Sequence, residues 1–209
     1  MLISKMRNMK QIRLIGLISS IILAINYIII GPAITFVFDE NWFDTFFWFN
    51  KTFIFPVAFI GFYLALYKLV QRFEIKKYTI PVLIILGLGC IGLILNIVCF
   101  ININLPDILS GFPGIVTMIV FILWAIQVIR NKDDRFNRIR NFAIAMLVGY
   151  AVVFIFTLIN IFAGTLLPES GNQPFEYTNI AYAVYGIGYV FGISIFIEKP
   201  KKYQRLTTA

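Results

Sequence analysis

Tyr78 to Ile101, YTIPVLIILGLGCIGLILNIVCFI, runs without one charged side chain. A helix needs roughly 20 apolar residues to cross a hydrocarbon core of about 30 Å, and this stretch is long enough to do so. An amphipathic surface helix of a soluble protein would carry a charged or polar face, which this segment lacks. Apolar runs of comparable length occupy 14–35, 52–70, 112–129, 141–167 and 178–197. Together with 78–101 they predict an all-α membrane protein, a bundle of six transmembrane helices forming one integral domain over 1–209. Composition agrees. The 209 residues are 60% hydrophobic and 13% charged, with mean hydropathy +0.86, against about 45–50% apolar and about 25% charged in soluble domains.

Charge sets the expected direction, because Lys and Arg collect on the cytoplasmic side of short loops. Of the 18 basic residues, all but Lys51 fall in the two tails, in the connection around Arg72, Lys76 and Lys77, or between Arg130 and Arg140. Of the ten acids, Asp39, Glu40, Asp44, Asp107, Glu169 and Glu176 fall in the opposite connections. Both termini are therefore expected in the cytoplasm. The run from Leu14 to Thr35 exceeds the core of about 7–15 residues of a signal peptide, so it reads as a retained first span. Abundant Ile, Phe, Asn and Lys point to an AT-rich bacterial genome and a plasma-membrane location.

Several function classes lose their parts. The net charge of +8 is spread over short inter-span clusters, which is membrane topology and excludes a nucleic-acid partner. Histidine is absent, which removes the commonest general base and neutral metal ligand. Every charged residue can be placed in a loop or at an interface, whereas proton relays and embedded catalysis need ionisable groups inside the membrane. No enzyme, cofactor or metal site is expected. Cys90 and Cys99 stand nine positions apart, about 13 Å along a helix and on opposite sides, beyond the roughly 7 Å reach of a disulfide; they read as small buried packing residues.

The most unusual composition lies between the first two spans, at Phe38–Phe55, FDENWFDTFFWFNKTFIF. Aromatic rings collect where a bilayer meets water, so Trp42, Phe43, Phe46, Phe47, Trp48 and Phe49 form a candidate interfacial collar. A short helix lying in the interface, with Trp42, Phe46, Phe49 and Phe53 on one side, fits the spacing. The prolines all read as loop or span-end residues, the positions where a helix tolerates them.

Within the spans only uncharged polarity remains. Gly89, Gly92, Asn96 and Cys99 share one helical face, Thr117 and Trp124 another, and Gly149, Val153, Thr157 and Asn160 a third. Asn26, Tyr27, Asn96, Thr117, Asn160, Tyr182 and Tyr185 all fall in the outer half of the membrane and form a candidate outward pocket. The same residues also suit helix packing and inter-helix hydrogen bonds, and Gly188-x-x-x-Gly192 reads as a contact within the bundle. Two functions fit. One is a non-catalytic accessory, scaffold or immunity-type component that meets a membrane or cytoplasmic protein. The other is a binding or transport protein for a lipid head group or a small uncharged or cationic solute. In both, the lipid bilayer is the first partner.

Overall fold

The computed structural model describes residues 2–30, 46–72, 76–101, 107–166 and 177–197, with side chains over 9–30, 46–72, 77–101, 112–159 and 183–197. Among the described residues there are helices and short connections and no strand. Helix α1 is Leu2–Ile25 and widens into a π-helical turn at Asn26–Ile30. A second π-helical turn, Asn50–Ile54, leads into α2, Phe55–Gln71. Then come α3 (Lys76–Phe100), α4 (Asp107–Ile129), a 3-10 turn (Asp134–Phe136), α5 (Asn137–Leu166) and α6 (Tyr177–Phe196).

Five segments are long and apolar enough to cross a membrane: Met9–Ile30, Phe46–Gln71, Lys77–Phe100, Phe112–Ile129 and Asp134–Ile159. The sixth helix is apolar over its described part, Ala183–Phe196. The described chain thus holds five to six such helices where the sequence predicts six. Their outward faces carry Ile18, Ile29, Ile94, Leu123, Phe154 and Val190, all well exposed. A continuous apolar surface of this kind would drive association in water, whereas hydrocarbon solvates it.

Each helix packs on its successor, and α6 returns to α1, so the helices close into a ring. The α5–α6 seam is tight because Gly149 has no side chain: a Cβ there would lie 2.7 Å from the Tyr185 Cα. Gly188 and Gly192 meet Met146 and Phe62 of the same chain, which places the Gly-x-x-x-Gly pair inside the bundle, as the sequence implies. Toward the α2–α3 and α4–α5 connections the ring is filled. Phe62, Phe121, Trp124, Phe142, Met146 and Tyr189 are fully buried there. The Trp124 Nε1–H donates to the Tyr78 carbonyl at 3.1 Å, answering the demand of a buried indole for a partner.

The charged connection is largely engaged with itself and with the bundle. Asp133 caps the 3-10 turn by accepting from the Arg135 backbone N–H at 2.9 Å and pairs with the Arg135 guanidinium. That guanidinium holds the Asp133 carboxyl below the usual carboxylate range. Arg138 donates to the Ser194 carbonyl at 2.7 Å and to that of Ile197. It thereby satisfies carbonyls left open at the end of α6 and places a cation where the helix dipole is negative. Arg140 donates to the Asn131 carbonyl at 3.1 Å.

Three expectations change. Phe46–Gln71 is one helical segment of 26 residues, so Phe46, Phe47, Trp48 and Phe49 extend the second membrane helix instead of forming a separate surface helix. Trp42 and Phe43 lie outside the described residues. Phe46, Trp48 and Phe49 remain exposed, and Lys51 sits 5.6 Å over the Trp48 ring, a pairing suited to an interface. The backbone of this stretch thus continues along the second helix, with these rings on its surface.

Secondly, Pro56 is interior to that segment and not at a span end. A proline withholds its N–H and crowds the carbonyl four residues back. The wider turn at Asn50–Ile54, where the Phe55 N–H bonds to the Asn50 carbonyl, absorbs the break. Thirdly, Cys90 and Cys99 are free and exposed. They lie on opposite sides of α3, and on each side a thiol is tolerated at an apolar surface as a small apolar group.

Candidate functional site

In the other half of the ring, toward the end where α3 finishes and α4 begins, the described side chains do not fill the centre. A cavity of about 490 Å³ opens there, with lining from the Asn26–Ile30 turn and from α2, α3, α4, α5 and α6. That volume lies in the range of small-molecule sites, about 300–1,000 Å³. Tyr27, Asn96, Thr117 and Tyr185, predicted to share a pocket, all line it. They come from four different elements, so the ring brings together residues that are far apart in sequence.

The remaining predicted residues fare differently. Asn26 does not line the cavity. It is buried, its Nδ2 donates to the Ile22 carbonyl at 3.1 Å, and its Oδ1 accepts from Asn50 Nδ2. This pair joins the two π-helical turns, which explains why two amides are tolerated in a buried setting. It is the packing role that a membrane Asn can serve. The Asn50 Oδ1 is itself buried and has no hydrogen-bond partner among the described residues. The side chains of Asn160 and Tyr182 lie outside the described residues.

Irregular backbone surrounds the cavity. Tyr27 is presented by the Asn26–Ile30 turn, Phe55 and Pro56 follow the Asn50–Ile54 turn, and Pro113 and Gly114 line it from early α4. Non-standard helix geometry at membrane depth is expected only where protein or a cavity covers it. π-helical turns are also frequent at functional sites.

Two kinds of glycine can be told apart. A Cβ on Gly89 would press on the Phe59 ring at 2.9 Å, so Gly89 serves packing. A Cβ on Gly92 or Gly114 would meet no described atom within 4 Å, and both residues line the cavity. Glycine inside a helix costs about 0.5–1 kcal/mol relative to alanine. Gly89 lines the cavity as well, whereas Gly87, equally free of neighbours, does not.

The wall is aromatic and uncharged. Tyr27, Phe55, Phe59, Tyr150 and Tyr185 contribute rings, and Asn96 and Thr117 contribute polar groups. The Tyr185 hydroxyl donates to the Tyr150 hydroxyl at 2.8 Å. The Asn96 amide makes no hydrogen bond to a described residue, leaving donors and an acceptor for an occupant.

Sequence reasoning missed Tyr150, Asn50 and the aromatic side from Phe55 and Phe59. The spacing from Tyr150 to Val153 was available as a signal, but the Gly149–Val153–Thr157 face looked equally regular. In the structure Gly149 packs on α6, and the exposed Thr157 hydroxyl donates back to the Val153 carbonyl at 2.8 Å.

A separate hollow between α1 and α2, of about 470 Å³, is lined by Ile15, Ile18, Ile22 and Val57 with Ser19 as its polar group. It suits an acyl chain and offers little specificity. Comparison with protein-family models, with curated proteins and with solved structures finds no match to this chain.

Proposed function

We propose that this chain is a non-catalytic integral membrane protein that binds a small, largely apolar solute carrying at least one hydrogen-bonding group. In this reading six helices span a bacterial plasma membrane, both termini face the cytoplasm, and the cavity lies in the outer half. The distribution of basic residues supports that orientation.

The observation that carries the reading is the cavity of about 490 Å³ itself, lined from six elements, with room beside Gly92 and Gly114, where a Cβ would meet no described atom within 4 Å. Packing glycines such as Gly149 have such an atom. Asn96 and Thr117 add orienting groups to a mostly apolar wall, the usual recipe for a small-molecule site. On the cytoplasmic side, Arg138 and Arg140 donate to carbonyls of the chain itself. The accessory or scaffold reading, which would use that connection for docking, draws no comparable support.

The test is a thermal-stability screen of small solutes against the detergent-purified protein and its Asn96→Leu variant. A ligand at a hundredfold excess over its Kd stabilises by about 2.7 kcal/mol, which a melting curve resolves. The reading predicts a solute class that raises Tm of the wild type and not of Asn96→Leu, while both proteins insert and purify alike. A variant that only melts lower, with an unchanged response to every solute, would return Asn96 to a packing role.

A further inference from the structure

We infer that the cavity is entered sideways from the bilayer, between α4 and α5, and that its occupant is an uncharged amphiphile, a hydroxyl- or ester-bearing head on a long apolar chain. This deepens the binding reading above and rests on it. In the filled half of the ring the α4–α5 seam is shut. Phe121 meets the Phe142 and Tyr150 rings at centroid distances of 6.0 and 5.7 Å, and Phe121 and Ala125 are fully buried. Residues seven apart share a helical face, so these two faces continue toward the start of α4 as Gly114 and Met118. Both of those residues are exposed, and both line the cavity. Ile115 lines it too and is 58% exposed, so the cavity runs out to the flank of the ring.

Helix α5 shows the same change. Leu147 and Tyr150 pack against the core, and the positions seven further on, Phe154 and Thr157, continue their faces. Phe154 is 63% exposed and Thr157 is exposed as well. The uncovered residues of α4 and α5 thus lie on the same side of the Phe121–Tyr150 contact. Among the described residues this seam is also the most lightly packed of the ring.

Ile115, Met118 and Phe154 make the lips of the opening apolar, and beside a membrane-spanning helix that flank is hydrocarbon. A water-soluble solute arriving there would shed its hydration before reaching Asn96 and Thr117, which is costly for every polar group it carries. A bilayer amphiphile is already in the hydrocarbon. Its chain can stay between the lips while its head reaches the two polar side chains. The described lining holds no Lys, Arg, Asp or Glu, so a charged head would be buried without a counter-charge. A hydroxyl or ester is within the capacity of an amide and a hydroxyl to satisfy.

The experiment uses the full chain in nanodiscs of phosphatidylglycerol, with a hexadecanol bearing a diazirine near its hydroxyl as the photolabel and peptide mass spectrometry as the readout. Labels are expected on Asn96, Thr117 or Tyr150, and a tenfold excess of plain hexadecanol should lower them about tenfold by mass action. Labels on Ile94 and Leu123, which face outward, should not saturate. Hexadecyl phosphate should compete at least about tenfold more weakly than hexadecanol. Gly114→Phe, which fills the opening, should reduce cavity labelling about 5- to 150-fold at an unchanged Tm. Thr157→Trp, at an exposed position outside the lining, supplies the same test should Gly114→Phe melt lower. Cavity labelling that resists competition, or that persists in both folded variants, overturns the inference, as does equal competition by the phosphate. Labels confined to the outward faces overturn it too. If a water-soluble solute then still stabilises the protein in an Asn96-dependent way, the site stands and only the lateral amphiphile fails. If none does, the binding reading fails as well.

Discussion

Gly92→Ala and Gly149→Ala make the same chemical change at two helix-interior glycines, and the structure assigns them opposite signs. At Gly149 the new Cβ would stand 2.7 Å from the Tyr185 Cα. Backbone cannot swing aside as a side-chain end can, so α5 and α6 must separate along their whole seam. Overpacking of this kind costs about 1–3 kcal/mol.

At Gly92 the Cβ meets no described atom within 4 Å, so no contact is lost or strained. Alanine there gains up to about 1 kcal/mol of helix propensity. Where the denatured reference in a micelle stays helical, the gain falls toward zero. The two variants should therefore differ by about 1–4 kcal/mol, with Gly92→Ala at or above wild-type stability. Reversible unfolding of the purified protein in mixed micelles, followed by far-UV circular dichroism, reads this difference. If Gly92→Ala proved as destabilising as Gly149→Ala, the space beside Gly92 would be packed in solution and the cavity argument would collapse.

Removing either member of the amide pair, Asn26→Leu or Asn50→Leu, strands the other in an apolar setting and should cost about 0.6–2 kcal/mol. The double variant should recover part of that loss, and a double-mutant cycle by the same unfolding assay measures the coupling. Arg138→Met withdraws the donors that satisfy the α6 carbonyls. It should lower stability by about 0.3–2 kcal/mol, with hydrogen exchange accelerated first in the last turn of α6. The Asp133 carboxyl, depressed by the Arg135 guanidinium, favours the folded state above the ordinary Asp value of about 3.9. That contribution is lost as pH falls through the lower, folded-state value. Carboxyl-carbon NMR should place its titration below the ordinary range in wild type and return it there in Arg135→Ala.

The helical architecture is legible because each span announces itself by length and by lack of charge, as Tyr78–Ile101 does, and hydrocarbon leaves the backbone no alternative to a helix. Helix ends are less legible. Lys10 and Arg13 lie in the same helix as the first span, since basic residues are good helix formers and snorkel to the surface. The collar misled for a related reason. Its composition records proximity to an interface, which rings satisfy equally well along a span as on a surface helix.

Of the pocket, Tyr27, Asn96, Thr117 and Tyr185 were readable because depth in the membrane can be estimated from sequence position. Rotation about each helix axis cannot, and that hid Tyr150. The difference between Gly89 and Gly92, three residues apart on one face, depends on a single neighbouring ring, Phe59. The Asn26–Asn50 pair depends on two π-helical turns that no periodicity in the sequence records.

Native mass spectrometry of the gently extracted protein, wild type beside Gly92→Leu, tests the central claim most directly. Leucine at 92 would project into the cavity and occupy it. The account predicts a bound small molecule on the wild type that is absent from a folded, equally stable Gly92→Leu protein. The same bound species at the same occupancy in both proteins, or none on the wild type under conditions that retain annular lipid, would contradict it.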